Sequence, residues 1–269
     1  RSKFSRKKNR SKSNITFLNM NIKFANSNNV IDANVIENKI LNIENEINNF
    51  IQVLKNKIGS ENEIKDLTYG WKIFYSPIII NPKILFIGIN PGIGDAGEPF
   101  TYYHDDYDVL EYVDKQRNNY TLARNTVKIF EEMNMQYLLN DAVKINTKFF
   151  STKSVHELHK FEEFLLNYNI ELSNQLINYN KKWLKEIIDI INPEVIICEG
   201  KEAFDYMDNF YDDIDNWTQT LDYDSNKICG SFKRKSDGMF LFGYSRNQRL
   251  NPINFISNEL IKILKNDNI

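Results

Sequence analysis

Ile84-Leu85-Phe86-Ile87-Gly88-Ile89-Asn90-Pro91-Gly92 is a short apolar run that stops in a turn built from glycine and proline. With Pro82 before it and Gly88 near its end, a run this short and this rich in isoleucine reads as a buried strand, not a helix. The turn brings backbone and one amide side chain, Asn90, to the carboxyl end of that strand, where open α/β sheets bind ligands. Gly88 and Gly92 let another group approach the backbone closely, and Pro91 stiffens the turn so that Asn90 points one way. Any strand can end in such a corner, so the turn alone leaves a structural and a functional reading open.

Working outward, three more stretches have the same character. Asp141 to Phe150 reads as a second core strand and its exit, with Asn146 near its carboxyl end. Pro193 to Gly200 and Met239 to Tyr244 read as a third and a fourth. Between them lie helical patterns over Thr121–Met133, over residues 154–191, and from Lys201 onward, with a terminal amphipathic helix from Ile253 to Leu264. Upstream, Ile36, Ile40, Ile43, Ile47, Phe50, Ile51, Leu54 and Ile58 recur at helical spacing, and Gly59 is a plausible stop. Trp71 to Ile80 reads as a strand or extended segment leading into the organising strand, and residues 207–235 suggest no definite element.

Strands alternating with helices point to a three-layer α/β/α sandwich around a mostly parallel, about four-stranded central sheet. The expected division is a basic polar tail, disordered, over residues 1–30, a helical extension packing on the core over 31–69, and the α/β domain over 70–269. The tail carries Arg1, Lys3, Arg6, Lys7, Lys8, Arg10 and Lys12 among Ser and Asn, and a basic arm that touches phosphates is the functional alternative.

The chain has 269 residues, enough to bury a substantial core, and its 42% hydrophobic and 26% charged residues are those of a globular protein. A formal net charge of -2 excludes a wholly basic nucleic-acid binder but allows a local basic face. Cys198 and Cys229 form neither a disulfide framework nor a metal-ligand spacing, which suits a reducing compartment, cytoplasmic or nuclear. Cys198, inside an apolar run, reads as a buried thiol. His104, His156 and His159 make no zinc motif, and Asp105, Asp106 and Asp108 lack the spacing and glycine of a calcium loop. No metal or other cofactor is expected, no stretch has the length of a membrane span, and the protein is expected to act as a monomer.

Gly88-Ile89-Asn90-Pro91-Gly92 resembles the first motif of the uracil-DNA glycosylase superfamily, in the form of its mismatch-specific and single-strand-selective branches. Gly97-Glu98-Pro99-Phe100 is similar to the Gly-x-Pro-Phe of the single-strand-selective branch, where the aromatic ring stacks on the flipped base. Phe100 opens a long aromatic and acidic connection over residues 93–120, well placed to wall a pocket behind the Asn90 turn. The helix, the Pro193-Glu194-Val195-Ile196-Ile197 strand and the Gly200 turn into a helix also look like the superfamily. Ser245-Arg246-Asn247 is partly similar to the second motif, but the His and Pro of that motif are absent, and Tyr244 stands near the missing His.

The resemblance implies that Asn90 holds the attacking water, Phe100 stacks on the base and Asn146 reads its edge, with Gly88 and Ile89 supplying backbone amides. Tyr244 and Ser245 would complete the catalytic set, and Arg246, Asn247 and Arg249 would hold DNA phosphates or fill the gap left by the flipped nucleotide. The structural alternatives are a strand-end Asn146 that caps a turn and a solvated basic turn at Arg246 and Arg249. The function expected is excision of uracil or another modified base from DNA; the alternative is a glycosylase-fold module that has lost catalysis and binds nucleic acid or a protein partner. A nucleotide-binding enzyme is a fainter third possibility, since neither Gly-x-Gly-x-x-Gly nor Gly-Lys-Ser/Thr is present.

Overall fold

Strand β3 (Ile84–Gly88) is buried at every residue, which an apolar run tolerates only inside a sheet covered on both faces. The computed structural model describes residues 20, 22–25, 32–58, 70–92, 108–115, 118–211, 217–221, 229–234, 236–246 and 252–265. In it, β3 pairs in parallel with β4 (Val143–Asn146) along one edge and with β5 (Val195–Glu199) along the other. Strand β8 (Phe240–Tyr244) extends the parallel set beyond β5. These are the four strands expected from the sequence.

Two further strands, β6 (Trp217–Leu221) and β7 (Cys229–Arg234), continue the sheet antiparallel, giving the order β4-β3-β5-β8-β7-β6. They fall in the segment whose charges concealed any strand pattern: Lys233 and Arg234 sit in β7 itself, and Thr218 and Gln219 of β6 are exposed. Of the two, β6 is the edge of the sheet, where polar residues are common. Trp71 to Ile80, expected as a strand or extended segment, is extended and ends in a strand. Trp71 makes an isolated antiparallel bridge to Phe150, and β2 (Ile78–Ile80) pairs with β1 (Ile22–Phe24) in a separate small parallel sheet. The polar arm expected over residues 1–30 therefore contains a strand, because Ile22 and Phe24 find apolar cover against the core.

Helices close both faces. Leu85, Ile87, Ile145 and Ile196 point to a layer made by α1 (Ala33–Ile58), α3 (Val155–Tyr168), α4 (Ile170–Ile191) and α5 (Lys201–Phe210). Ile84, Phe86, Ile197 and Phe242 point to α2 (Thr121–Glu132) and α6 (Ile253–Leu264). The helical stretch read as continuous over 154–191 is broken at Asn169. That residue is extended (φ -158°), and its side chain accepts from the Leu172 amide, so it caps α4 where the chain reverses. Ser154 caps α3 by accepting from the Glu157 amide, with Glu157 at the third helical position. Helix α1 is fixed to α4 by its apolar stripe and by Glu46, which accepts from Trp183 Nε1 at 3.0 Å and pairs with Lys182 at 2.7 Å.

Gly243, in β8, shows how tightly the α5 layer sits. A Cβ there would lie 2.2 Å from the Phe204 ring. Gly243→Ala is expected to destabilise the fold by about 1–3 kcal/mol, the usual cost of overpacking. Chemical denaturation of the variant beside Gly243→Ala/Phe204→Leu checks it, since the double variant should recover part of the loss.

Candidate active site

The chain leaves β3 toward β4 and later returns on the opposite side as β5, so a topological switch point opens at the carboxyl ends of β3 and β5. Gly88, Ile89 and Asn90 lie there. The turn is pinned to the exit of β4 by its backbone. Thr147 N donates to Gly88 O at 2.8 Å, Lys148 N to Ile89 O at 3.0 Å, and Thr152 N to Pro91 O at 3.1 Å. Thr147 Oγ1 also donates to Ile89 O at 2.7 Å.

Asn90 is half-buried, and its neighbours fix which way its amide faces. Nδ2 donates to Pro91 O at 2.9 Å and to Thr152 Oγ1 at 2.8 Å. Pro91 O can only accept. The Thr152 hydroxyl spends its single hydrogen on Ser154 O at 2.7 Å, so toward Asn90 it too must accept. Both partners therefore demand the NH2 group, and Oδ1 is turned away from them, accepting nothing from the described residues. The result is a fixed, unspent acceptor at the mouth of the switch point.

Asn146 stands beside it. It pairs in register with Gly88, and its Oδ1 lies 2.3 Å from where a Gly88 Cβ would be, so only glycine leaves room for it. Asn146 is 4% exposed, yet its carboxamide makes no hydrogen bond to a described residue. A buried amide with two unused donors and an unused acceptor is costly unless something else fills them. A turn-capping role for Asn146, the structural alternative, would have required such a bond.

Farther along the same row, β5 ends at Glu199 and β8 at Tyr244, which pair in register. Gly200 follows with φ +117°, a backbone conformation suited to glycine, and Arg246 crosses it to donate Nε to Glu199 O at 2.8 Å. The rest of the Arg246 guanidinium bonds no described residue. A cleft of about 220 Å³ is lined by Ile89, Gly200, Lys201, Ser245 and Arg246, and so joins the first turn to the exit of β8. Tyr244 is 4% exposed and lines a neighbouring cavity of about 210 Å³ with Thr121, Asn125 and Ser245. It stands three strands from Asn146, about 14 Å at ordinary strand spacing. The structure thus groups Gly88, Ile89, Asn90 and Asn146, places Ser245 and Arg246 across a shared cleft, and puts Tyr244 in a wall. Phe100, Asn247 and Arg249 lie outside the described residues.

Several residues of this region escape a sequence reading. Thr147 and Thr152 hold the two halves together but look like ordinary strand-exit residues. Lys144 and Glu199 form a buried ion pair beneath the site face, at 3.4 Å. A charge inside each of two otherwise apolar runs was the available signal. Tyr112 donates to Glu199, and burial, reinforced by the Glu199 carboxylate, holds its phenol well above the usual range. Burial likewise pushes the Cys198 thiol up, with Glu199 adding to it, which removes Cys198 as a nucleophile. Among the described residues no group of three or more His, Cys, Asp or Glu could hold a metal, and no helix is long and apolar enough to cross a membrane.

Compared with known proteins, residues 76–245 match the family model described as the uracil DNA glycosylase superfamily. The match runs from just before β2 to Ser245, and so takes in the whole switch point and both flanking strand exits. A search of curated proteins finds no match.

Thr152→Val keeps the shape of Thr152 but removes the acceptor for Asn90 Nδ2. The expected cost is about 1 kcal/mol of stability. The side-chain amide signals of Asn90 in a 1H–15N spectrum should sharpen and exchange faster with water, as those of a carboxamide free to rotate.

Proposed function

The chain belongs to the uracil DNA glycosylase superfamily, and on that footing we propose that it is a DNA N-glycosylase that excises uracil or another modified base. The observation that carries this assignment is the pair of amides at the switch point, Asn146 with its hydrogen-bonding capacity unfilled and Asn90 with Oδ1 unspent. They supply the two functions that hydrolysis of an N-glycosidic bond needs from side chains: recognition of the base and placement of the water.

The target nucleotide leaves the stack, at a cost of a few kcal/mol, and its base enters the space over Gly88. Asn146 offers the base edge both a donor and an acceptor, the combination a pyrimidine carbonyl and ring N–H require. Phe100 stacks on the ring. The carbonyls of Gly88 and Ile89 are already taken by Thr147 and Lys148, and the Gly88 N–H belongs to the β3–β4 ladder, so the Ile89 N–H is the backbone contact the turn can offer. Asn90 Oδ1 accepts a hydrogen bond from the water and orients its lone pair at the sugar carbon. The C–O bond forms as the C–N bond breaks, the electron pair departs with the base, and the proton the water loses ends, by way of solvent, on the released base.

Arg246, tethered through Nε to Glu199 O, keeps its remaining donors for a phosphate, with Asn247 and Arg249 following it in the chain. By the resemblance, Tyr244 and Ser245 occupy the stretch of sequence where the superfamily's second motif carries the His that donates to the leaving base. Loss of one such donor typically costs about 2.7–4 kcal/mol of transition-state stabilisation, so turnover should be slow. That missing donor is also what favours a binding-only module as the second reading.

Incubation with single- and double-stranded uracil-bearing oligonucleotides, followed by alkali, tests the assignment. Strand scission is expected, and Asn90→Ala should lower it by about 100-fold or more. If uracil is left intact, a panel of deaminated and alkylated bases follows. A protein that cuts none of them while still binding the oligonucleotides would be the non-catalytic module instead.

A further inference from the structure

We propose that the buried Lys144–Glu199 pair is a positioning device, which holds the segments carrying the site in one register without itself touching DNA. This rests on the glycosylase reading above and adds residues to its machinery.

Both side chains are withdrawn from solvent: Lys144 is 6% exposed and Glu199 1%. Each gathers a different set of segments. Lys144 Nζ donates to Glu111 Oε1 at 2.5 Å and to the Tyr112 hydroxyl, and approaches the Tyr120 hydroxyl at 3.4 Å. It also stands 4.3 Å from the centre of the Tyr112 ring. Glu199 accepts from Tyr112 through Oε2 and from Thr126 Oγ1 at 3.1 Å through Oε1, while its backbone carbonyl accepts from Arg246.

The positions of these two residues give the network its reach. Lys144 lies two residues before Asn146 on β4, on the same face of the strand. Glu199 lies at the end of β5, one register step past the Ile87↔Cys198 pair and therefore level with Gly88. Glu111, Tyr112 and Tyr120 belong to the connection that starts at the Asn90 turn, and Arg246 to the exit of β8. One ion pair thus touches the strand that presents Asn146, the connection that follows Asn90, helix α2 and the anchor of Arg246. The Tyr112 ring packs edge-on to Phe86 at 5.4 Å, directly beneath Gly88 in β3, so the network forms the layer under the site. A buried ion pair is a weak choice for stability alone, and holding a unique arrangement is its better-attested use.

The test uses the full chain and whichever base-bearing oligonucleotide the wild type cuts. Lys144→Met alone leaves Glu199 uncompensated and can fail to fold, so Lys144→Met/Glu199→Leu, which removes both charges, is made beside it, together with Glu199→Gln. Melting temperature, active fraction by titration, and single-turnover rate against KM are read for each. The double variant is expected to fold with KM within about threefold of wild type. Its rate per active site should fall about 100-fold, the scale of a misplacement near 1 Å, with Glu199→Gln in between. A folded double variant with the wild-type rate per active site overturns the proposal, as does a loss confined to the active fraction. A wild type as blank as Asn90→Ala on every base removes the glycosylase reading, and this proposal falls with it.

Discussion

Strand β3 pairs in parallel on both of its edges, and that constraint organises the rest. A strand held between β4 and β5 has no free edge and no exposed face, so it must be apolar along its length. The chain must then leave it to one side and return on the other. The gap between those two crossovers is where backbone ends diverge and leave room for a ligand. The polar groups of the site collect there, between elements whose other faces are packed.

The groups in that gap are of two kinds, and hydrogen bonding separates them. Thr147, Thr152 and Arg246 Nε are engaged with backbone or side-chain partners and act as frame. Asn146 and the Oδ1 of Asn90 bond no described residue, although a folded interior normally satisfies such atoms. An amide left without a protein partner at 4% exposure gives up part of its hydrogen bonding in the unliganded state. The same amide is then already largely withdrawn from water and aimed when a ligand arrives, which is the physical meaning of a preorganised site.

How far this was legible in the sequence depends on the range of the interaction. The strands at Ile84, Val143, Val195 and Phe240 were visible because burial on both faces writes itself as consecutive apolar residues. The helices were visible through their spacing, and Asn90 and Asn146 through their place at strand ends. Asn169 was missed because a cap inside a long helical pattern looks like one more polar position. The antiparallel strands from Trp217 and Cys229 were missed because β6 is a polar edge and β7 ends in Lys233 and Arg234, so neither forms an apolar run. The Lys144–Glu199 pair was missed for a deeper reason: a charge inside an apolar run hints at burial, but only the three-dimensional register shows that these two meet. A long-range pair leaves no local mark of its partner.

Helix α1 raises a question of boundaries. Its eight buried apolar residues from Ile36 to Ile58 belong to the same core as Leu85, Ile87 and Ile145, yet they lie outside the stretch shared with the superfamily, as does α6. Each such side chain, fully buried, is worth about 1.5–3 kcal/mol. Eight of them together rival or exceed the roughly 5–15 kcal/mol by which a whole domain is stable. The unit of kinship is therefore smaller than the unit of folding. What the family model recognises is the frame of the pocket, and part of what keeps that frame standing lies in residues outside the match.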